Sequence, residues 1–421
     1  MTDRGSNAWP IVPLGQLGQW GSGGTPRRGV DGYYKGSIPW LKIGDLTDGV
    51  VTTSEESISE AGLRNSAAKL VEPGTLLIAM YGSIGKLGIP AMQCATNQAI
   101  ASCAPDRRKV STDYLFHALL ALRSELIAQG KGGTQSNISQ TVLKAFGVPL
   151  PPLPVQERLV TLARRTSETR DQAQAHLGSA SHLLVLFRQS VLAAASSGRL
   201  TEDWRAQRNR QDDDLPGLWR EVSFGDVCLR VTVGHVGKMV NEYRSQGIPF
   251  LRSMNVRELR FDRSGLKFIS PVFHRRLAKS ALQPGDIVVV RSGFVGTACV
   301  IPPDLGEANC SDLVIARPRP DLRSDYGAIY VNSERMKAHI AEVKVGSAQS
   351  HFNTKSMHAA LLLLPPLDEQ DEIVRRVNLM LAAASGLGTR VAHVGSTLDL
   401  AMRSSLVRVF TAQSIHTRVG E

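Results

Sequence analysis

The sequence predicts an α+β fold made of two tandem repeats, each a globular mixed α/β domain followed by a long α-helix. Three observations carry this expectation. First, "PLPPLPVQERLV" at Pro149–Val160 returns as "LLPPLDEQDEIV" at Leu363–Val374, with Pro151 over Pro365, Leu153 over Leu367, Gln156 over Gln370 and Leu159 over Ile373. From 151 to 365 is 214 residues, about half of a 421-residue chain, and a repeat on that scale governs the whole architecture. Second, further matches keep the same order. "WPIVPLGQL" at Trp9 pairs with "WREVSFGDV" at Trp219, "GSIPWLK" at Gly36 with "QGIPFLR" at Gln246, and "EPGTLLIAMYGSIGK" at Glu72 with "QPGDIVVVRSGFVGT" at Gln283. "GGTQSNIS" at Gly132 pairs with "GSAQSHFN" at Gly346, and "RQSVL" at Arg188 with "RSSLV" at Arg403. The offset drifts only from 210 (39 to 249) to 215 (188 to 403), so insertions are few. Third, each copy closes on a long stretch almost free of proline, with apolar residues at helical spacing.

In chain order, residues 1–150 form the first globular domain, where the short β-branched run "TLLIAM" follows the Pro73–Gly74 turn. Residues 151–200 form the first long helix, whose apolar positions are Leu159, Leu162, Ala173, Leu177, Ala180, Leu184, Phe187, Val191 and Ala194. A linker covers 201–216. The second globular domain, 217–366, repeats the strand as "DIVVVR" after Pro284–Gly285. The second long helix, 367–412, has a regular seam of Val377, Met380, Ala384, Leu387, Val391, Val394, Leu398 and Ala401, in steps of three and four. Residues 413–421 are a tail. Proline is tolerated in a first helical turn, where its missing N–H has no partner to lose. Asp368 can cap the second helix, and Glu369, Asp371 and Glu372 complement the positive end of its dipole. Gly178, Gly386, Gly388 and Gly395 each weaken these helices by about 1 kcal/mol relative to alanine. Such helices need a surface to lie against, and the obvious one is each other.

Hydrophobic residues make up 42% of the chain, enough for real cores. Net charge is +11, with a pI near 9.6, which points to a polyanionic partner. Residues 1–150 carry 14 basic and 11 acidic side chains; residues 215–366 carry 20 and 13. The helical segments 151–214 and 367–421 come to +1 and 0, so the excess sits on the globular copies. A membrane-surface helix would show the reverse. The five cysteines, Cys94, Cys103, Cys228, Cys299 and Cys310, include no C-x-x-C pair and read as reduced thiols. The start "MTDRGSNAWP" lacks a signal-peptide pattern, and no apolar run approaches the roughly 18 residues of a membrane span. A cytoplasmic protein is expected.

Catalytic constellations are missing from the sequence. "GSIGKLG" at Gly82 lacks the spacing of a phosphate-cradling loop, and its repeat partner has Thr297 where Lys86 stands. There is no H-E-x-x-H, and His235, His274, His339 and His351 show no metal-ligand spacing. No G-x-S-x-G elbow occurs. None of the Pro-Pro pairs has the flanking Asp or Asn and aromatic of an amino-group DNA methyltransferase loop. The expectation is a non-catalytic chain, with no catalytic residues and no metal site.

The ordered set "GSGGTPRRG…YYKGSIPWLKIGDL", "PGTLLIAMYGSIGKLGI…ATNQAI", "GGTQSNIS…VPLPPLPVQERLV" and "RQSVLAAASSGRL", with its second-half counterparts, resembles the specificity (S) subunit of type I restriction–modification systems. The resemblance spans essentially the whole chain. It implies two target-recognition domains, each reading one half of a bipartite site in double-stranded DNA. It also implies that the long helices pair as an antiparallel coiled coil, set the unread spacer and dock two methyltransferase (M) subunits. Restriction/translocase (R) subunits would join for cleavage. Adenine methylation would then be directed by this chain but performed by partners, which would hold the S-adenosylmethionine, ATP and Mg; the chain itself would need no cofactor. The second copy departs from the pattern where "GGTQSNIS" becomes "GSAQSHFN" and "SGGTP" gives way to "TVGHVGK". The two half-site contacts are therefore expected to differ.

Base edges are read by Arg, Lys, Asn and Gln, and phosphates by basic and hydroxyl side chains. On that ground the DNA-binding candidates in the first domain are Arg27, Arg28, Lys42, Tyr81, Ser83, Lys86 and Gln135. In the second they are His235, Lys238, Arg252, Asn255, Arg291 and Thr297. Trp9, Trp40 and Trp219 sit in apolar contexts and are expected in the core. Two other readings compete. A stand-alone bipartite DNA-binding protein would bind its site tightly without partners, and a self-contained methyltransferase or nuclease would carry a cofactor motif.

Overall fold

The structure, a computed structural model, describes residues 9–130, 137–208, 219–345 and 352–411. By internal contacts the chain forms two units. One takes the residues up to His176 and those from His393 onward; the other runs from Leu177 to Ala392. Both long helices, Leu153–Ser196 and Leu367–Thr411, are therefore shared between the units, which the sequence pattern alone does not show.

The first unit is built on a five-stranded sheet in the order Gly18–Ser22, Ile100–Pro105, Leu76–Ala79, Leu87–Pro90, Gly49–Val51. A four-stranded sheet, Glu56–Ile58, Tyr34–Leu41, Cys94–Thr96, Leu70–Val71, accompanies it. Every residue of Leu76–Ala79 is buried, which is why that strand reads as a continuous apolar run. Its larger core combines Leu76, Ile78 and Cys103 with Tyr114 and Leu115 from the helix Thr112–Ala121. The long helices close this core with Leu159, Ala163 and Phe410.

The second unit repeats the plan. Its four-stranded sheet runs Cys228–Val233, Leu313–Pro318, Ile287–Val290, Ala298–Val300, which matches the first four strands of the first unit's larger sheet. Its other sheet runs Tyr243–Arg244, Lys267–Ile269, Ile248–Leu251, Ala308–Cys310, Ala281–Leu282. In both units one pair of the second sheet is parallel, Trp40 beside Ala95 and Phe250 beside Asn309, while its other pairs are antiparallel. The duplication read from sequence is thus a duplication of topology. Trp40 and Trp219 are buried as expected, and Trp9 is half-buried against the first unit's core. All five cysteines are free and buried, and burial pushes the thiols of Cys94, Cys103, Cys228 and Cys299 up to about 12. Such thiols are inert at neutral pH.

The motif that marks each domain-to-helix junction has a structural cause in its glutamine. Gln156 is fully buried; its amide donates to the carbonyls of Lys109 and Pro151, both at 2.9 Å, and its oxygen accepts from the Ser111 N–H at 3.0 Å. Gln370 does the same in the second unit, donating to Asp321 O and Pro365 O at 2.9 and 2.8 Å and accepting from the Arg323 N–H at 2.8 Å. A tyrosine completes each junction. Tyr114 Oη donates to Pro149 O at 2.7 Å, and Tyr326 Oη to Leu363 O at 2.5 Å. Buried amides this fully bonded fix the direction in which the long helix leaves the domain.

Glu369 departs from its expected role at the helix dipole. It is buried, and its Oε1 accepts from Arg205 Nη1 at 2.6 Å and from Thr201 Oγ at 2.7 Å. Arg205 belongs to the short helix Glu202–Ala206, so the segment after the first long helix is clasped onto the first turn of the second. Arg376 strengthens the clasp by donating to Asp203 at 2.6 and 3.0 Å.

Within each unit opposite ends of the two long helices lie together, so their pairing is antiparallel. In the first, Gln174 Nε2 donates to Asp399 Oδ1 at 2.7 Å. In the second, Arg188 Nη1 reaches Ser385 Oγ at 3.4 Å. The seam itself differs from the one the apolar pattern selects. Val377, Ala384, Val391 and Leu398 face inward as expected, but Leu381, Gly388 and Gly395 replace Met380, Leu387 and Val394 as the more covered positions between them. Leu387 and Val394 are left 51% and 52% exposed. On the first helix Ala163 is buried where Leu162 was expected, and Phe187 lies outside the seam. Ala384, Gly388 and Gly395 thus share the inner face with Val377, Leu381, Val391 and Leu398, while Leu387 and Val394 flank it.

Gly178 and Gly386 are not needed for close approach, since a Cβ built on either meets nothing within 4 Å. Gly178→Ala and Gly386→Ala are each expected to stabilise the chain by up to about 1 kcal/mol, seen as a raised thermal midpoint. A lowered midpoint would show that the bare backbone is required there. The first long helix also holds an 18-residue window apolar enough to cross a bilayer. Polar residues such as His182 and Arg188 interrupt it, so it is not a continuous apolar run. Its apolar end has another use, because Val191, Leu192 and Ala195 fill the second unit's core.

Candidate nucleic-acid interface

Three loops converge at one edge of each unit, and the same backbone hydrogen bonds build both sets. The first loop follows the edge strand of the larger sheet. Gly24 N–H donates to Thr96 O at 2.9 Å in one unit, and His235 N–H to Cys310 O at 2.8 Å in the other. The second loop is a hairpin. Ala79 N–H donates to Lys86 O and Gly85 N–H to Ala79 O, both at 2.9 Å; Val290 N–H to Thr297 O and Gly296 N–H to Val290 O repeat this, again at 2.9 Å. The hairpin glycines all have positive φ: Gly82 +65°, Gly85 +73°, Gly293 +78° and Gly296 +88°. Glycine is the default residue where the chain must take that conformation, which explains why "G-x-x-G" survives in both copies. The third loop is a tight turn, Asn97–Ala99 in the first unit and Ser311–Asp312 in the second. Asn97 N–H donates to Leu41 O and Ser311 N–H to Leu251 O, both at 3.0 Å, and in the second unit Arg291 Nε lies 3.4 Å from Asp312 Oδ1.

The structure places the expected residues of the first unit as follows. Arg28 is exposed and donates to Glu56 at 2.8 Å, with its guanidinium 4.5 Å from the Tyr34 ring centre and 5.4 Å from that of Trp40. Lys42 donates to Glu55 and Glu56, both at 2.8 Å. The two carboxylates raise the Lys42 ammonium above its ordinary range, Glu55 the more, while Arg28 and then Lys42 hold the Glu56 carboxyl below its own. A phosphate arriving at Lys42 competes with both glutamates. Lys86 Nζ donates to Ile43 O at 3.3 Å and so ties the hairpin to the Lys42 turn. Arg27, Tyr81 and Ser83 are exposed, the last two on the hairpin. Gln135 lies outside the described residues, although Tyr81 pairs with Asn137 beside that segment.

In the second unit His235 and Arg291 are brought together. His235 bridges to Ser311, Asp312 N–H donates to His235 O at 3.2 Å, and Ser292 Oγ donates to Asp312 Oδ2 at 2.5 Å. Lys238 is exposed on the His235 loop, and Thr297 is half-buried at the foot of the hairpin. Arg252 is the counterpart of Lys42. Its backbone N–H donates to Asn255 Oδ1 at 3.0 Å, as that of Lys42 does to Asp45 Oδ2 at 2.7 Å. One expectation is corrected. Asn255 is fully buried, and its amide donates to Asp262 O and Ser264 O at 3.0 and 3.1 Å. As it stands Asn255 holds a turn and presents nothing to a base.

Glu55, Glu56, Asp312 and Phe294 belong to these rims and were not selected from sequence. Acidic residues escape a search for basic contacts, although they orient the bases beside them. Phe294 could have been found by aligning the hairpins, because it replaces Ser83.

Residues 7–163 match the family model described as the type I restriction modification DNA specificity domain. Across 397 residues the chain is 25% identical to the EcoBI type I restriction enzyme specificity subunit of Escherichia coli, covering 90% of this chain and 80% of that one. It is 26% identical over 396 residues to the EcoKI specificity subunit of Escherichia coli strain K12, covering 89% and 82%. A solved chain from work on complex assembly and conformational transition of the type I R-M system shares the fold, with a TM-score of 0.73 at 18% identity over 97% of this chain and 98% of that one. The class the geometry defines is a duplicated mixed α/β fold with two long paired helices. The chain thus carries one match to that specificity domain and, over about nine-tenths of its length, is similar to type I restriction enzyme specificity subunits.

Proposed function

We propose that each unit reads one half of a bipartite site in double-stranded DNA through its three-loop rim, and that the chain directs adenine methylation without performing it. The observation that carries this reading is the duplication of one loop scaffold with different side chains on it. Thr25, Tyr81 and Ser83 occupy one copy; His235, Arg291 and Phe294 occupy the other. A common backbone with exchanged contacts is what two different half-sites require. The paired helices fix the unread spacer between the halves. S-adenosylmethionine, ATP and Mg belong to methyltransferase and restriction/translocase partners, and the assembly works in the cytoplasm.

The partners have a surface to dock on. Leu183, Phe187, Leu379 and Leu387 all lie outside the helix seam of the second unit and are exposed, Leu183 by 63%. Large apolar residues left exposed beside the seam mark an interaction surface. Leu183→Glu with Phe187→Glu is expected to leave the fold intact and abolish co-purification of a co-expressed methyltransferase. Retained association would place the docking surface elsewhere. The test of the reading itself is to express the chain with and without that methyltransferase and map methylated adenines by long-read sequencing. A split motif that appears only with both proteins is expected. Tight, specific binding by the chain alone would favour the stand-alone DNA-binding alternative.

A further inference from the structure

Phe294, at the tip of the second unit's hairpin, is 82% exposed and the most exposed aromatic ring among the described residues. A single exposed apolar residue ordinarily needs no explanation. This one stands on a rigid support. Thr297 N–H donates to Phe294 O at 3.2 Å, just as Lys86 N–H donates to Ser83 O at 3.1 Å, and positive-φ glycines flank the tip on both sides. The first unit places its own exposed ring, Tyr81, 43% exposed, two residues earlier on the same scaffold. Each hairpin therefore shows one aromatic ring, at a different height. The ring of Phe294 also stands in a basic rim. Arg291 lies at the foot of the hairpin, and Lys238 is exposed on the loop that His235 joins to the same turn.

A phenyl ring has no group that could bond a phosphate or a base edge. In contact with DNA it can pack only on a base face or on a thymine methyl. We propose that Phe294 is an apolar wedge that packs against a base face in the half-site read by the second unit and unstacks the adjoining step. This rests on the DNA-reading function above. The wedge adds a sequence preference that no hydrogen bond supplies, since the cost of unstacking depends on the step opened.

The test uses the full chain assembled with its methyltransferase subunits on duplexes carrying 2-aminopurine at successive positions of the second half-site, apart from the methylated adenine. Wild type is expected to raise fluorescence at one position. Phe294→Ala should remove that signal and weaken specific binding about 5- to 140-fold, the range for losing one base–aromatic stack. Phe294→Trp should keep both. If wild type binds specifically and Phe294→Ala matches it in affinity and fluorescence, the wedge is overturned while the DNA-reading function stands. If wild type binds no sequence specifically, both fall. Weakened binding with unchanged fluorescence, confined to duplexes with thymine at one position, would make the residue a methyl contact and overturn unstacking. Loss of the methyltransferase subunits from Phe294→Ala would make it a protein contact and overturn the wedge.

Discussion

Arg205→Met is expected to destabilise the second unit by about 3–5 kcal/mol, the cost of leaving a buried charge without its partner. Arg205 and Glu369 expose only 8% and 1% of their side chains. The guanidinium holds Glu369 at 2.6 Å, Thr201 at 3.1 Å and the Gly198 carbonyl at 2.8 Å. Its removal leaves Glu369 buried with the Thr201 hydroxyl alone. Glu369→Met should cost a similar amount by stranding Arg205. The double variant Arg205→Met with Glu369→Met should recover most of the loss, because replacing both partners by apolar side chains of similar size is often nearly neutral. Hydrogen exchange in the first turns of the second long helix gives the measurement. Single variants should exchange there hundreds- to thousands-fold faster, and the double variant close to wild type. Additive losses in the double variant would show that the two groups stabilise the unit independently.

That clasp also shows what the sequence could and could not disclose. The repeat, the domain-to-helix junctions and the two helices were legible because they rest on periodicity and on ordered matches. Gln156 and Gln370 were visible as matched letters, but their bonding to carbonyls some 47 to 49 residues away exists only in three dimensions. Glu369 looked like a surface acid at a helix start, and nothing local distinguishes it from Asp371, which pairs with Arg323 at the surface. The seam departs from the hydrophobicity pattern at every second position for a related reason. A hydrophobicity pattern selects Leu387 and Val394, whereas packing places Gly388 and Gly395 inward and leaves the larger side chains outward. Among the candidate DNA contacts, residue type alone chose Asn255, which the fold buries, and passed over Phe294, which the fold displays.

The central claim is that each copy reads its own half-site. Exchanging residues 1–150 for the matching segment of a relative with another specificity tests it most directly, read out as the methylated-adenine motif of cells making the chimaera with its methyltransferase. The donor segment must keep counterparts of Tyr114 and His117, on whose rings Phe410 packs at 5.6 and 6.1 Å, so that the first unit can still close on the second long helix. One half of the motif should change to the donor's, while the other half and the spacer stay as they were. A chimaera that methylates with both halves altered, or with neither, would contradict the account.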